Sequence, residues 1–350
     1  MKKTIYIADI RSNVIDGKST GHFIPVARMY KEILQNDYNV IITGGPIYKK
    51  YFDKESLFQL PYNISNTRLK DKILSMKNCI KLFRQAQGET IILQQASTIT
   101  SFIGILFFYH KKSKLYLIQY STAAIKSKIG NILYKSIKHK IDGIICPNDE
   151  VGKAFDRPYC VVPDYLYTNT KNNNSFTKYE EKKYDFCMVG RMCREKGMLE
   201  AAHFLRNQPY QVLIAGKPEN EQLAQEMKDA CHNAKNITLI MDYISEEDYK
   251  RYLNESRYCI LNYSGEYSQR SSGVVFDTLF ADVPVIGREC KALDFIKQKR
   301  LGLLFDNINN FVPDVVLSKE KHEQYINNIK EYRLEHHIYI KKLIQFVNIK

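Results

Sequence analysis

From residue 1 to about residue 165, short apolar runs alternate with stretches in which apolar positions recur every three to four residues. The runs "TIYIADI", "YNVIITGG", "TIILQQAS", "KLYLIQYS" and "DGIICPN" read as strands covered on both faces. Between them, "IPVARMYKEIL", a basic stretch around 68–86, "TSFIGILFFYH", "KIGNILYKSIKHK" and "EVGKAF" read as helices. Such alternation predicts a parallel sheet with helices on both faces. A proline, an Asn-rich tract and clustered charge in "VVPDYLYTNTKNNNSFTKYEEKKY" then read as a linker. The alternation resumes with "DFCMVG", "EKGMLEAAHFLRNQ", "YQVLIAGK", "NEQLAQEMKDACHNA", "ITLIMD", "SEEDYKRYLNES", "YCILNY", "SGVVFDTLFAD", "PVIG", "ALDFIKQKR" and "LGLLFD". The expected fold class is α/β, with two Rossmann-like doubly wound sheets in tandem. Residues 318–350 are helical in pattern with no strand after them, so this C-terminal helix is expected to cross back and brace the N-terminal domain. The expected domains are 1–165, 166–320 and the helix 321–350.

Length supports two domains, because 350 residues exceed one ordinary core. With 44% hydrophobic and 26% charged residues the composition is that of a water-soluble globular chain. The longest apolar candidate, "ITSFIGILFFY", falls short of the ~20 residues a membrane helix needs. The apolar run near the start is broken by Asp9, so the reading expects no signal peptide and a cytoplasmic protein. The eight cysteines include no C-x-x-C pair and sit mostly in strand-like runs, as buried reduced thiols do. Charge changes the picture more. Residues 1–165 hold 25 Lys+Arg and 13 Asp+Glu, a net of +12, whereas the rest holds 27 and 25, a net of +2. A basic half of this kind suits nucleic acid, an anionic membrane or a phosphorylated substrate.

The segment "DGKSTGH", from Asp16 to His22, ends a P-loop pattern in Gly17-Lys18-Ser19 but has Ser12 where G-x-x-x-x-G-K-[ST] has its first glycine. That argues against a phosphate nest and leaves a glycine-bearing loop between a first strand and a first helix. Stronger signals lie in the second half. In "YDFCMVGRMCREKGMLEAAHFL" a strand ends at Gly190, Arg191 follows, and Lys196-Gly197 precedes a helix. Two cations and a helix start at the carboxyl edge of a sheet suit a diphosphate, although a pair of surface charges would read the same way. In "YSGEYSQRSSGVVFDTLFADVPVIG", Ser271, Ser272 and Gly273 open an apolar helix and Asp277 lies one turn in. Those hydroxyls and N–H groups would bind an anion and the carboxylate would reach ribose hydroxyls. An N-cap and a first-turn charge are the plain alternative.

Together, "VGR" with "EKG" and, ~75 residues later, the glycine-led helix with its acid and "PVIG" resemble the donor-binding domain of GT-B glycosyltransferases, specifically retaining glycosyltransferase family 4. The resemblance covers about 185–305; in the first half it rests on strand order, the first loop and the linker position. It implies two domains facing a cleft, the first binding the acceptor and the second a nucleotide-sugar donor, with no metal. Arg191 and Lys196 would hold the donor diphosphate and stabilise its growing charge, with Ser271, Ser272 and Gly273 finishing the cradle. Asp277 falls where the family's Glu-x7-Glu motif has its second, ribose-binding acid. Gly17, Gly21 and His22 would belong to the loop that approaches donor sugar and acceptor. The motif's first acid is missing: eight residues before Asp277 stands Gln269, and Glu266 lies three residues earlier, so either would meet the sugar. Where the family often has a histidine at a strand end of the first domain, this chain has Gln119 and Tyr120, with His110 and His22 as further candidates.

In "AIKSKIGNILYKSIKHK", Ile125, Ile129, Ile132, Leu133 and Ile137 recur at helical spacing among lysines, as in a helix lying on an anionic membrane or packed on a core. The expectation is transfer of a sugar from a UDP- or GDP-sugar to a glycan or undecaprenyl-linked acceptor in bacterial capsule or O-antigen assembly. Peripheral contact with the anionic inner membrane is part of it, and no nucleic-acid partner is. A GT-B epimerase and a nucleic-acid-binding protein are the alternatives.

Overall fold

The computed structural model describes residues 2–15, 17–19, 23–65, 69–94, 98–163, 165–166, 177–268 and 272–348. Its contacts divide the chain into two compact units, residues 1–168 with 336–350 and residues 169–335.

The first unit contains β1 (Thr4–Ala8), β2 (Val14–Ile15), β3 (Lys18–Ser19), α1 (Phe23–Leu34), β4 (Asn39–Gly44), β5 (Leu57–Gln59), α2 (Leu69–Gln85), β6 (Thr90–Leu93), α3 (Ile99–Phe108), β7 (Lys114–Ile118), α4 (Ala123–Lys126), α5 (Lys128–Ile137), β8 (Gly143–Cys146), α6 (Asp149–Ala154) and β9 (Tyr159–Val161). Seven strands form one sheet in the order β5-β4-β1-β6-β7-β8-β9, and every pair is parallel. Strand periodicity sends Ile5 and Ile7 to one face, where α1 packs, and Tyr6 and Ala8 to the other, where α2, α3 and α5 pack.

The second unit contains β10 (Tyr184–Val189), α7 (Met198–Leu205), β11 (Val212–Ala215), α8 (Glu221–Cys231), β12 (Ile237–Ile240), α9 (Glu246–Asn254), β13 (Ser256–Leu261), α10 (Gly273–Phe280), β14 (Val285–Arg288), α11 (Asp294–Lys299) and β15 (Gly302–Phe305). Its parallel sheet runs β12-β11-β10-β13-β14-β15. The chain steps outward from β10 to β12, then returns to the other side of β10 at β13. The order therefore reverses between β10 and β13, where open α/β sheets collect ligands beyond their carboxyl ends.

The last helix, α12 (Lys319–Asn348), serves both units. Tyr325 joins the second unit's core, while Leu343 and Val347 are buried in the first unit against the face that α1 covers. This is the brace expected of the C-terminal segment.

Several expectations need correction. "DGKSTGH" is not a simple strand-to-helix loop: β2 and β3 pair antiparallel as a hairpin turning at Gly17, which is exposed with φ +72°. An Asp-Gly pair is a strong hairpin signal. Lys18 and Ser19 therefore lie in a strand, which removes the P-loop reading. Ser12 adopts a positive φ, +44°, although it is not a glycine. Its N–H donates to Asp9 Oδ1 at 2.9 Å and its Oγ accepts from the Gly45 N–H at 2.7 Å, and these bonds offset the strain. His110 follows the end of α3 and precedes β7, so it lies at the amino edge of the sheet, away from the ligand edge. The three-residue edge strands β5 and β9 were not anticipated.

Candidate functional site

Two loops meet at the reversal point. The first leaves β10 through Gly190 (φ +106°), passes Arg191 and a 3-10 turn over Arg194–Lys196, and enters α7 through Gly197 (φ +64°). The second leaves the neighbouring β13 through Asn262 and Tyr263, makes a 3-10 turn over Gly265–Ser268, and enters α10 at Gly273. The Ser264 N–H donates to the Glu195 carbonyl at 2.7 Å, and Asn262 Nδ2 donates to the Gly197 carbonyl at 3.2 Å. A Cβ on Gly197 would stand 2.2 Å from the Asn262 carbonyl oxygen, so close approach and positive φ both require glycine there. The two sequence signals, roughly 75 residues apart, are thus one constellation.

Lys196 lies at its centre and is 7% exposed. A Cβ built on Gly190 would be 3.4 Å from Lys196 Nζ and 3.6 Å from Val274 Cγ2, which places the ammonium between the end of β10 and the first turn of α10. Burial pushes its pKa down, and among the described side chains it has no carboxylate partner; its contact is the face of Tyr267, 5.6 Å from the ring centroid. Arg191 is 67% exposed and only 3.7 Å from Glu219, a loose pair that leaves its guanidinium available. Arg194, by contrast, is held by Glu226 through two bonds of 2.6 and 2.7 Å.

Ser272 occupies the N-cap position of α10 but does not cap it: its Oγ shares a 2.7 Å hydrogen bond with the buried Tyr263 hydroxyl. The first N–H groups of α10 keep their capacity for an anion. Asp277, one turn in, takes a 3.2 Å hydrogen bond from the Tyr249 hydroxyl of α9. Desolvation pushes its pKa up to about 6, although the residue keeps substantial solvent contact. Ser271, Gln269, Gly21 and His22 lie outside the described residues, as does the Glu266 side chain, whose backbone is in the 3-10 turn. Gly17 belongs to the first unit.

Sequence reasoning missed Tyr263, Tyr267 and Tyr249, which orient Ser272, cover Lys196 and hold Asp277. Tyr263 follows the carboxyl end of β13 and that position was a usable signal; Tyr249 is 28 residues from Asp277 and carried none. Also missed was buried Asp9 at the carboxyl end of β1, whose carboxylate accepts from the Arg11 and Ser12 N–H groups and from the Tyr48 hydroxyl.

No protein-family model and no curated protein matches the chain by sequence. Solved structures do match by shape. The sucrose-phosphate synthase of Thermosynechococcus elongatus superposes with a TM-score of 0.68 at 13% identity, covering 98% of both chains. AviGT4, a glycosyltransferase involved in avilamycin A biosynthesis, gives 0.62 at 12% identity, covering 99% of this chain and 97% of its own. The chain has the GT-B fold. TarM, which has been solved from S. aureus with UDP bound, gives 0.56 at 16% identity over 79% of this chain. The GT-B chain described here spans only 58% of TarM's length. At these identities the likenesses establish the fold.

Proposed function

We propose that the protein is a glycosyltransferase that takes a sugar from a nucleotide diphosphate sugar and passes it to a glycan or undecaprenyl-linked acceptor, with retention, in bacterial capsule or O-antigen assembly. The observation that carries the donor half is Lys196: a buried ammonium without a described counter-charge, aimed between a strand end and an open helix start. A diphosphate supplies the missing anion. As the bond from the sugar carbon to the diphosphate oxygen breaks and the acceptor oxygen bonds that carbon, negative charge grows on the leaving diphosphate, which then takes the proton released by the acceptor hydroxyl. Lys196, Arg191 and the first N–H groups of α10 lie where that charge would form, and fixed donors stabilise it more in the transition state than in the ground state. These groups supply the positive charge themselves, so the proposal includes no metal. Asp277 would accept from the ribose hydroxyls, and Glu266 or Gln269 would face the sugar. The fold shared with AviGT4 and TarM supports the reading.

A thermal-shift panel with UDP, GDP, CDP, ADP and dTDP tests it, since a ligand that binds only the native state raises apparent stability. One diphosphate should raise the midpoint clearly. Arg191→Ala should weaken that binding by roughly 1.5–3 kcal/mol, the worth of a charged hydrogen bond. Lys196→Met should abolish the shift yet raise the melting point of the unliganded protein, because a desolvated ammonium disfavours the fold at neutral pH. No shift with any diphosphate, or an unchanged shift in Lys196→Met, would refute the donor site.

A further inference from the structure

We infer that the face of the first unit built from α2, α3 and α5 is a docking surface for an anionic lipid bilayer. Six large apolar side chains stand out from these three helices: Leu69, Ile73, Ile99, Phe107, Ile129 and Ile132, each between 43% and 74% exposed. Their spacing is regular. Leu69 and Ile73 are four apart on α2, and Ile99 and Phe107 are eight apart on α3 with half-buried Ile103 between them, so each pair lies along one outward stripe. A helix on a sheet ordinarily turns polar residues outward. Here α3 has apolar residues on its outward face as well as its inner one, where Phe102 and Ile105 are buried.

The helices form one continuous face. The Phe102 ring of α3 packs on Tyr134 of α5 with centroids 5.7 Å apart, and a Cβ on Gly104 of α3 would meet Cys79 Sγ of α2 at 2.9 Å. Charge identifies the occupant. Residues 69–140 hold 13 Lys+Arg and only 2 Asp+Glu. Of those two acids Asp71 is buried, and half-buried Glu89 accepts from the Thr4 N–H. Lys70 and Lys72 flank the α2 stripe, and Lys126 and Lys128 precede Ile129, all exposed. Apolar residues set among cations, with no exposed acid, match the headgroup and acyl boundary of an anionic leaflet. Nucleic acid would use the cations but leave the aliphatic residues without partners. No described helix is long and apolar enough to cross a membrane, so the contact is one of surface docking.

Helices in a parallel α/β sheet run opposite to the strands, so α2, α3 and α5 begin at the carboxyl edge. Five of the six exposed residues lie in the first halves of their helices and therefore near that edge, where ligands bind. If the first unit takes the acceptor, as the function proposed above holds, the bilayer would present a lipid-borne acceptor beside it. The docking itself does not depend on that reading.

Vesicle flotation of the full chain tests the surface. Partition to phosphatidylcholine vesicles containing phosphatidylglycerol should exceed partition to phosphatidylcholine alone by about tenfold or more, and salt should weaken it. Ile129→Glu with Ile132→Glu, and separately Lys126→Glu with Lys128→Glu, should each reduce binding about tenfold, with circular dichroism melting unchanged because all four positions are exposed. The proposal fails if the protein shows no preference for anionic vesicles, or if folded Ile129→Glu/Ile132→Glu protein binds them as well as the original. It also fails if that variant only converts a dimer to a monomer, which would assign the face to a second copy. Because the readout needs neither donor nor turnover, failure of the glycosyltransferase reading leaves this result interpretable.

Discussion

Lys196 and Asp277 are both displaced from their ordinary titration by desolvation, in opposite directions. For Asp277 the raised pKa means that the fold favours the protonated acid, so the residue costs stability as pH rises from its ordinary 3.8 to about 6. Its solvent contact keeps that cost small. Under the proposed donor site the consequence for binding has the opposite sense: a carboxylate accepts from ribose hydroxyls better than a neutral acid does, so nucleoside diphosphate binding should weaken as pH falls below about 6. In Asp277→Asn, affinity at neutral pH should drop by about tenfold and the part of the pH dependence due to this group should vanish. Titrations of both proteins across that range check this, because protonation of the ligand's phosphates cancels in the comparison. A variant with the original pH profile would remove Asp277 from the site. Lys196, Ser272 and Asp277 were legible in the sequence because each follows a strand end or a helix start. Asp9, Ser12 and Tyr48 were not: the positive φ of Ser12 depends on side chains that tertiary packing brings together.

At the scale of elements, strand and helix alternation gave the long buried strands and most helices. It missed what has too little pattern to read, such as the three-residue edge strands β5 and β9 and the hairpin around Gly17. What the pattern also conceals is how α12 serves α10. Arg333, 2% exposed, donates from Nη1 to the carbonyls of Leu279 (3.2 Å) and Phe280 (2.8 Å) and from Nη2 to Asp282 at 2.6 Å. One side chain thereby satisfies orphan carbonyls at the C-terminus of the helix whose N-terminus faces Lys196. Arg333→Met should cost about 3–5 kcal/mol, because it removes the buried guanidinium that pairs with Asp282 and satisfies the Leu279 and Phe280 carbonyls. Adding Asp282→Asn should recover part of the loss, since asparagine tolerates the φ of +55° at that position and carries no charge. Urea unfolding midpoints of the two variants give the answer; a single variant as stable as the original would mean that the pair is not a buried clamp.

For the whole molecule, the same helix ties the end of the chain to the first unit. Leu343 and Val347 are buried in that unit, and the Phe346 ring packs on Tyr116 at 5.4 Å, so close to Gly143 that a Cβ there would meet it at 2.3 Å. Burying Leu343 and Val347 contributes about 1.5–3 kcal/mol each, or about 3–6 kcal/mol together, and half-buried Phe346 adds to this. That is comparable with the whole stability of an ordinary domain, about 5–15 kcal/mol. A chain ending at Glu335 should therefore lose the first unit's fold, while the second keeps its own core, including Tyr325, and the clamp through Arg333. Limited proteolysis should cut residues 1–168 and spare 177–335, and the spared unit should still be stabilised by the diphosphate that stabilises the full chain. Loss of both units together would show that α12 makes them one cooperative structure. Retention of both would show that the buried face of its last turns contributes far less than its area implies.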